Sequence, residues 1–265
     1  MLALKLGLSL PTIKAVGGAA AWENLYSLSF DGVDDYVTCG DANVFTPNNS
    51  GANRGFSLSF WIKLPDPTSK KVISKNALFS SGANHYEYLI NTDFADRIKL
   101  NLYAGDSVSN SITFRLDSAL SADTWYHIAF AWDLGATNAD LIGYINGVAH
   151  SVAIGNATWT LAGSWTSVSN TINALEFAKE TSDYGELNLD EVALFDNQLS
   201  AAEVSAIYNG GTPTDLSGES YLLGYWRNGD TAGTSVYPTI EDYSSNSNDG
   251  TMTNMASGDI VTDVP

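Results

Sequence analysis

Apolar and polar positions alternate along this chain in short runs, and the run from Gly185 to Gly211, GELNLDEVALFDNQLSAAEVSAIYNGG, changes its period half-way. Leu187 to Phe195 reads as a strand. A repeat of two puts Leu189, Ala193 and Phe195 on one face and Asn188, Asp190, Val192 and Leu194 on the other. Both faces are partly apolar, so the strand is expected to be covered on both sides at one end and wet where Asp190 and Glu191 sit. The period then lengthens. Ser200 and Glu203 form a capping box, Val204, Ile207 and Tyr208 follow at helical spacing, and Asn209-Gly210-Gly211 supplies a left-handed stop.

The same alternation recurs upstream. Leu25 to Phe30 and Tyr36 to Cys39 flank a turn at Asp31-Gly32, and Phe56, Leu58, Phe60, Ile62 and Leu64 share one face of a single strand. Tyr126, Ile128, Phe130 and Trp132 oppose Trp125, His127, Ala129 and Ala131, which marks a central strand. Leu141 to Val152 turns at Asn146-Gly147, the pair a two-residue type I′ hairpin demands. Tyr86 to Ile90, Ile98 to Tyr103 and Ser111 to Arg115 continue the series at the spacing of an all-β sandwich. Lys70, Lys71 and Lys75 flank a further short strand and read as its solvated end.

The segments SLSFDGVDDYV, FSLSFWIKL, TWYHIAFAWD, LIGYINGVAHSV and LDEVALF with LSAAEVSAIYNGG resemble, in this order, the laminin-G-like, concanavalin A-like jelly-roll family. The resemblance implies an all-β fold: a two-sheet antiparallel jelly-roll sandwich with one short helix over residues 22–211. It would carry an N-terminal strand arm and linker over 1–21 and a C-terminal hairpin and tail over 212–265. It also implies that the first and closing strands are neighbours and that bound calcium is frequent. On that analogy Asp31, Asp34 and Asp35 would approach Asp190 and Glu191 and offer a hard cation an all-oxygen site.

Composition narrows the partners. Thirty acidic against twelve basic residues give a net charge of −18, which repels nucleic acid and anionic membranes. No stretch is long and apolar enough to span a bilayer, and the single Cys39 excludes an intramolecular disulfide. The fold family includes glucanases with carboxylates alternating along one strand, so Glu186, Asn188 and Asp190 need testing against them. The middle position is an amide. Glu186 and Asp190, four residues apart, would stand about 13 Å apart along a strand, beyond both retaining and inverting geometry. His85, His127 and His150 are scattered, and no nucleophile elbow, phosphate loop or zinc spacing is present. These features point to a non-catalytic module.

Two extensions suggest where such a module would work. Leu2, Leu4, Leu6, Leu8 and Leu10 alternate with Ala3, Lys5, Gly7 and Ser9, while Pro11 and Lys14 interrupt any signal-like apolar run. An uncleaved strand arm, together with a turn-rich C-terminal tail, is how shell proteins grip their neighbours. The reading that follows is an exterior virion component of a phage, a capsid decoration or fibre, contacting other subunits and forming a homo-oligomer. The alternative is a bacterial secreted or cell-surface lectin that binds glycans, with Trp159 and Trp165 as stacking surfaces; a glycoside hydrolase is a distant third. If the arm serves assembly, deleting Met1 to Ala21 leaves the melting temperature nearly unchanged and abolishes oligomers in size-exclusion chromatography; unchanged oligomers would refute that role.

Overall fold

The computed structural model describes residues 22–47, 55–78, 84–103, 111–133, 141–150, 157–162, 168, 170–230 and 237–265. In chain order the strands are β1 (Ser27–Asp31), β2 (Tyr36–Thr38), β3 (Gly55–Lys63), β4 (Lys71–Leu78), β5 (Asn84–Thr92), β6 (Arg97–Tyr103) and β7 (Ser111–Ala119). They continue as β8 (Trp125–Asp133), β9 (Leu141–Ile145), β10 (Val148–His150), β11 (Ala157–Ala162), β12 (Glu176–Phe177), β13 (Lys179–Glu180), β14 (Asp183–Tyr184) and β15 (Glu186–Phe195). Helix α1 (Ala201–Tyr208) precedes β16 (Leu222–Trp226), β17 (Thr239–Ile240), β18 (Gly250–Thr253) and β19 (Ile260–Val261). An eight-stranded sheet, ordered β10-β9-β8-β3-β15-β1-β19 with β16 also on β15, faces a nine-stranded sheet ordered β11-β7-β6-β5-β4-β12-β2-β18-β17. All pairings are antiparallel. Among the described residues no helix is long and apolar enough to cross a membrane.

The alternating faces become the two sides of the first sheet. Phe56, Leu58, Phe60, Ile62 and Leu64 join Ile128, Phe130 and Trp132 in the core between the sheets. Ala129 and Ala131 point the other way, into a second apolar cluster with Val204 and Ile207 of α1 and Leu199, Leu216 and Leu222. The helix begins at the expected capping box and ends at Asn209, whose φ of 45° is left-handed. Asn146 and Gly147 both have positive φ, 50° and 74°, as a type I′ turn requires.

Strand β15 departs from simple alternation. Its pairing with β3 shifts between Asp190 and Ala193, and Glu191 there takes a left-handed φ of 49°. This β-bulge adds one residue and reverses the phase beyond it. Leu187, Leu189, Val192 and Leu194 therefore face the central core, while Ala193 and Phe195 face the helix. Leu189 and Ala193 lie on opposite faces, contrary to the repeat read from sequence. Asp190 and Glu191, expected to be wet, are buried.

Lys75 also departs from expectation. It shares the inward side with Ile73, and a bulge in β5 at Glu87, next to its register partner Tyr88, brings a carboxylate in to meet it. Its ammonium is fully buried and donates to Asp41 Oδ1 at 2.9 Å, Glu87 Oε1 at 2.8 Å and the Asn173 carbonyl at 2.8 Å. Glu87 further accepts from Thr46 and from the backbone and hydroxyl of Thr171, each at 2.7 Å. A solvated strand end is thus replaced by a buried ion pair, a device that costs about 3–5 kcal/mol when one partner is lost.

The segment after Gly211 is built into the sandwich. β16 pairs with β15, β18 with β2, and β19 with β1, so this segment contributes strands to both sheets. Trp226 is fully buried, edge-on to Phe45 and Phe177, and its indole N–H donates to the Asn248 carbonyl at 3.0 Å. Asp242 organises the turn-rich stretch by accepting from the backbones of Tyr225, Ser244 and Asn248. Removing residues 212–265 is therefore expected to abolish cooperative folding, and Trp226→Ala to cost about 3–5 kcal/mol in urea denaturation; a truncated chain that melts cooperatively would make this segment an appendage.

Candidate functional site

The acidic residues anticipated as one site fall into two places. Register sets Asp31 opposite Glu186 and Leu28 opposite Leu189, so the turn after β1 lies at the far end of the strand pair from Asp190 and Glu191. Four residues of strand, about 13 Å, separate them. Asp31, Asp34 and Asp35 do converge, with ligand atoms within 4.8 Å of one another. Asp31 Oδ1 already accepts from the Val33 backbone at 2.8 Å, and Asp35 Oδ2 from the Asp31 backbone at 3.2 Å. Burial, then the neighbouring charges of Asp31, Asp259 and Asp34, raise the Asp35 carboxyl above its ordinary value against the opposing pull of that backbone bond.

Asp190 and Glu191 occupy the bulge where β1 leaves β15 and β16 takes over. Asp190 accepts from Asn24 at 2.9 Å, and Glu191 meets the Tyr225 hydroxyl, with Arg227 Nε 3.6 Å from its second oxygen. Asp230 accepts from the backbones of Leu25 and Tyr26 at 2.7 and 3.2 Å. Of these three buried carboxyls, Glu191 and Asp230 share the Arg227 guanidinium, and Asp190 is held by Asn24. They fasten the chain ahead of β1 to the chain after β16.

Two other sequence candidates stay with structure. Ser59 Oγ and His127 Nε2 lie 2.8 Å apart, a nucleophile-like pair, yet both residues are buried and Trp61 and Tyr208 pack around the imidazole. Burial pushes this histidine down to about 3, so it stays neutral. Trp159 occupies a β11 position whose register partner is Phe114; Trp165 and Leu2 to Leu10 lie outside the described residues. A cavity of about 100 Å³ beneath α1 is lined by Phe195, Leu199, Ile207, Leu216 and Tyr221. Since about 150 Å³ of apolar space holds a benzene, it is too small for a saccharide.

The outer face of the nine-stranded sheet carries a different assembly. Ile98, Leu100, Leu102, Ile112, Phe114 and Leu116 turn inward, leaving Lys99, Asn101, Tyr103, Thr113 and Arg115 outward. Pairing arranges these side chains in rows. Lys71, Asn91, Lys99 and Arg115 form one row, and Ser74, Leu89, Asn101 and Thr113 the next. In the third, the rings of Tyr86 and Tyr103 meet at 4.8 Å between centroids. Asn101 is the hub of the middle row: it donates to Asn91 Oδ1 at 2.9 Å and the Leu89 carbonyl at 3.3 Å, and accepts from Thr113 at 2.9 Å.

A short hairpin, β13 and β14, walls this face along β4. Ser74 donates to the Lys179 carbonyl at 2.7 Å, and Glu180 is gripped by Lys71 and by Asn76 Nδ2, the latter at 3.1 Å. Gly185 permits the close return of the chain, since a Cβ there would stand 2.0 Å from the Lys71 carbonyl oxygen. Asn76 is only 2% exposed, and its Oδ1 has no hydrogen-bond partner among the described residues. Burial and then the Glu180 charge raise the phenols of Tyr86 and Tyr103, keeping both hydroxyls neutral. Sequence reading found these strands without their shared face. The available signal was the residue choice, Asn and Tyr at successive outward positions where Thr, Lys and Glu are more ordinary.

Comparison with known proteins gives consistent results. Residues 31–205 match the laminin-G type family model described as the concanavalin A-like lectin/glucanases superfamily. A Bacteroides ovatus protein for which carbohydrate binding has been proposed superposes over 91% of this chain with a TM-score of 0.60 at 14% identity; this chain spans only 60% of its length. The heptameric pentraxin of Limulus polyphemus (TM-score 0.45, 16% identity, 72% of this chain and 85% of that one) and domains LG4-5 of mouse laminin α1 (0.44, 10%, 74% and 48%) are more distant. No curated protein matches the sequence.

The buried acids make a pH prediction. Burial, then the charge of Glu191, raises Asp190 well above its ordinary value, and burial raises Glu191 against the opposing pull of Tyr225 and Arg227. The folded state therefore keeps protons that the unfolded chain releases above its ordinary value of 4.5 for Glu. Stability from these groups is fully present below that value and is lost as pH rises through the raised folded value. The melting temperature is expected to decline from mildly acidic to mildly alkaline pH, with Glu191→Gln flattening the slope. An unchanged slope in the variant would contradict this assignment.

Proposed function

This chain belongs to the concanavalin A-like lectin/glucanases superfamily, and on that premise we propose that it is a non-catalytic carbohydrate-binding module that takes its ligand on the outer face of the nine-stranded sheet. The observation that carries this reading is the Tyr86–Tyr103 pair beside recessed amides, with the Asn76 carbonyl oxygen buried and unpartnered. A saccharide offers an apolar ring face for aromatic contact and hydroxyls that both donate and accept, and this surface supplies the complement to each.

The disposition of carboxylates supports binding over hydrolysis. Glu186 sits at an exposed strand end opposite Asp31, while Asp190 and Glu191 are sealed in the bulge. On the proposed face, Glu180 is held by Lys71 and Asp93 by Arg97. Calcium, where bound, would use the Asp31, Asp34 and Asp35 carboxylates, the described acidic group whose ligand atoms converge. The virion-exterior reading drew on two extensions, and the C-terminal one is used inside this chain's own sheets. That shifts the weight to the lectin-like alternative, at a secreted or cell-surface location.

A glycan array followed by calorimetric titration tests the proposal. Tyr103→Ala is expected to weaken binding about three- to tenfold, the range of aromatic contacts, while leaving the melting temperature near that of the parent. Binding unaffected by substitutions at both Tyr86 and Tyr103 would move the site elsewhere.

A further inference from the structure

The first row of this face holds a feature that a neutral saccharide does not explain. Lys99 and Arg115 are direct register partners on β6 and β7. Like charges directly opposite one another destabilise a sheet. The chain has only 12 basic residues against 30 acids, so the juxtaposition is not forced by a shortage of acidic side chains.

The nearby acids neutralise the pair only in part. Asp93 is already engaged by Arg97, whose Nε, Nη2 and backbone N–H donate to it at 3.2, 3.0 and 3.1 Å, and by the Ala95 backbone at 2.8 Å. Arg115 Nη1 reaches Asp93 only at 3.7 Å, and its buried Nε has no hydrogen-bond partner among the described residues. Lys71, the third cation of the row, is taken by Glu180 and Asp183. Lys99 makes no hydrogen bond or ion pair with the described residues. Burial pushes its ammonium below the usual lysine value, with Asp93 opposing.

We propose that the saccharide bound on this face carries a carboxylate, of the uronic- or sialic-acid class, which lies between Lys99 and Arg115 while a further ring of the same saccharide rests on Tyr86 and Tyr103. The inference rests on the preceding reading of the face and names the ligand class. Four residues of β6 separate Lys99 from Tyr103, about 13 Å along the strand, so the ligand spans more than one ring. The guanidinium fork matches a carboxylate geometrically. A net charge of −18, with Glu180, Asp93 and Asp183 flanking the row, disfavours densely charged polyanions and selects an isolated anionic group.

The test titrates the full chain with oligogalacturonate, oligoglucuronate and sialyllactose, each beside its carboxyl-reduced form. At least one acid is expected to bind about tenfold or more tightly than its reduced counterpart, a charge-assisted hydrogen bond's worth. Lys99→Gln and Arg115→Gln should each erase most of that preference and leave binding of the reduced form unchanged, whereas Tyr103→Ala weakens both forms. Without ligand, either charge variant should hold or raise the melting temperature, since it relieves repulsion; a marked fall would assign the pair a structural role and overturn the proposal. Equal binding of acidic and reduced forms, or a preference for heparin-type sulfated chains, also overturns it while leaving carbohydrate binding intact. If neither form of any probe binds and the glycan array is silent, the underlying reading falls as well.

Discussion

Strand β15 has to serve more neighbours than a regular ten-residue strand can. On one edge it meets β3 along its length, and on the other it pairs first with β1 and then with β16. Two strands arriving at one edge leave a junction, and the bulge at Asp190 and Glu191 falls there. The extra residue reverses the alternation, so the strand feeds the central core through Leu187, Leu189, Val192 and Leu194, and the helix-covered cluster through Ala193 and Phe195. Without that shift, Val192 and Leu194 would face α1 and the core would lose two of its fully buried side chains, each worth about 1.5–3 kcal/mol.

The junction has a polar cost. A bulge breaks the ladder and leaves backbone and side-chain groups to be satisfied by whatever enters the gap. Here the gap is closed by the residues entering β1 and those leaving β16, with Asn24 on Asp190, Asp230 on the Leu25 and Tyr26 amides, and Asn228 on the Leu189 carbonyl. The start of the described chain and the segment that follows β16 are thereby locked to the middle of the first sheet. Asp263 completes the closure, reaching Lys63 and the Trp125 indole from the C-terminal tail. The same logic governs the second sheet, where the inserted Glu87 is matched by Lys75, Thr46 and Thr171.

How far the sequence could be read follows from which interactions are local. The period-two strands, the Ser200–Glu203 cap and the Asn146-Gly147 turn depend on residues a few positions apart, and each stands where the pattern places it. The bulges do not announce themselves locally. LNLDEVALF reads as uninterrupted alternation until β3 supplies a partner for only one of two consecutive residues, and Lys75 looks like a solvated lysine until Glu87 is brought beside it. After Gly211 the alternation shows one strand, Tyr221 to Trp226, and the rest was opaque for a related reason. The remaining strands are two to four residues long, and β18 and β19 pair with β2 and β1 across more than two hundred positions, so their composition reads as turns. The candidate site combines both difficulties, being assembled from outward positions on β4 to β7 whose adjacency is set by register alone.

Position in the fold also explains why the proposed binding face lies on the second sheet. The outer face of the first sheet is apolar at Ala129, Ala131, Ala193 and Phe195, and α1 with the chain leading to β16 covers it, burying Val204, Ile207, Leu216 and Leu222. A sheet whose outer face is apolar must be covered, whereas one whose outer face is built from amides, hydroxyls and tyrosines can remain open to water. The nine-stranded sheet satisfies the buried amides of its outer face laterally, Thr113 to Asn101 to Asn91, and leaves Lys99, Tyr103, Thr113 and Arg115 half-exposed. On the proposed reading, side chains already bonded to one another would have little ordering entropy left to lose on contact with a sugar, which is how such a face would discriminate between ligands.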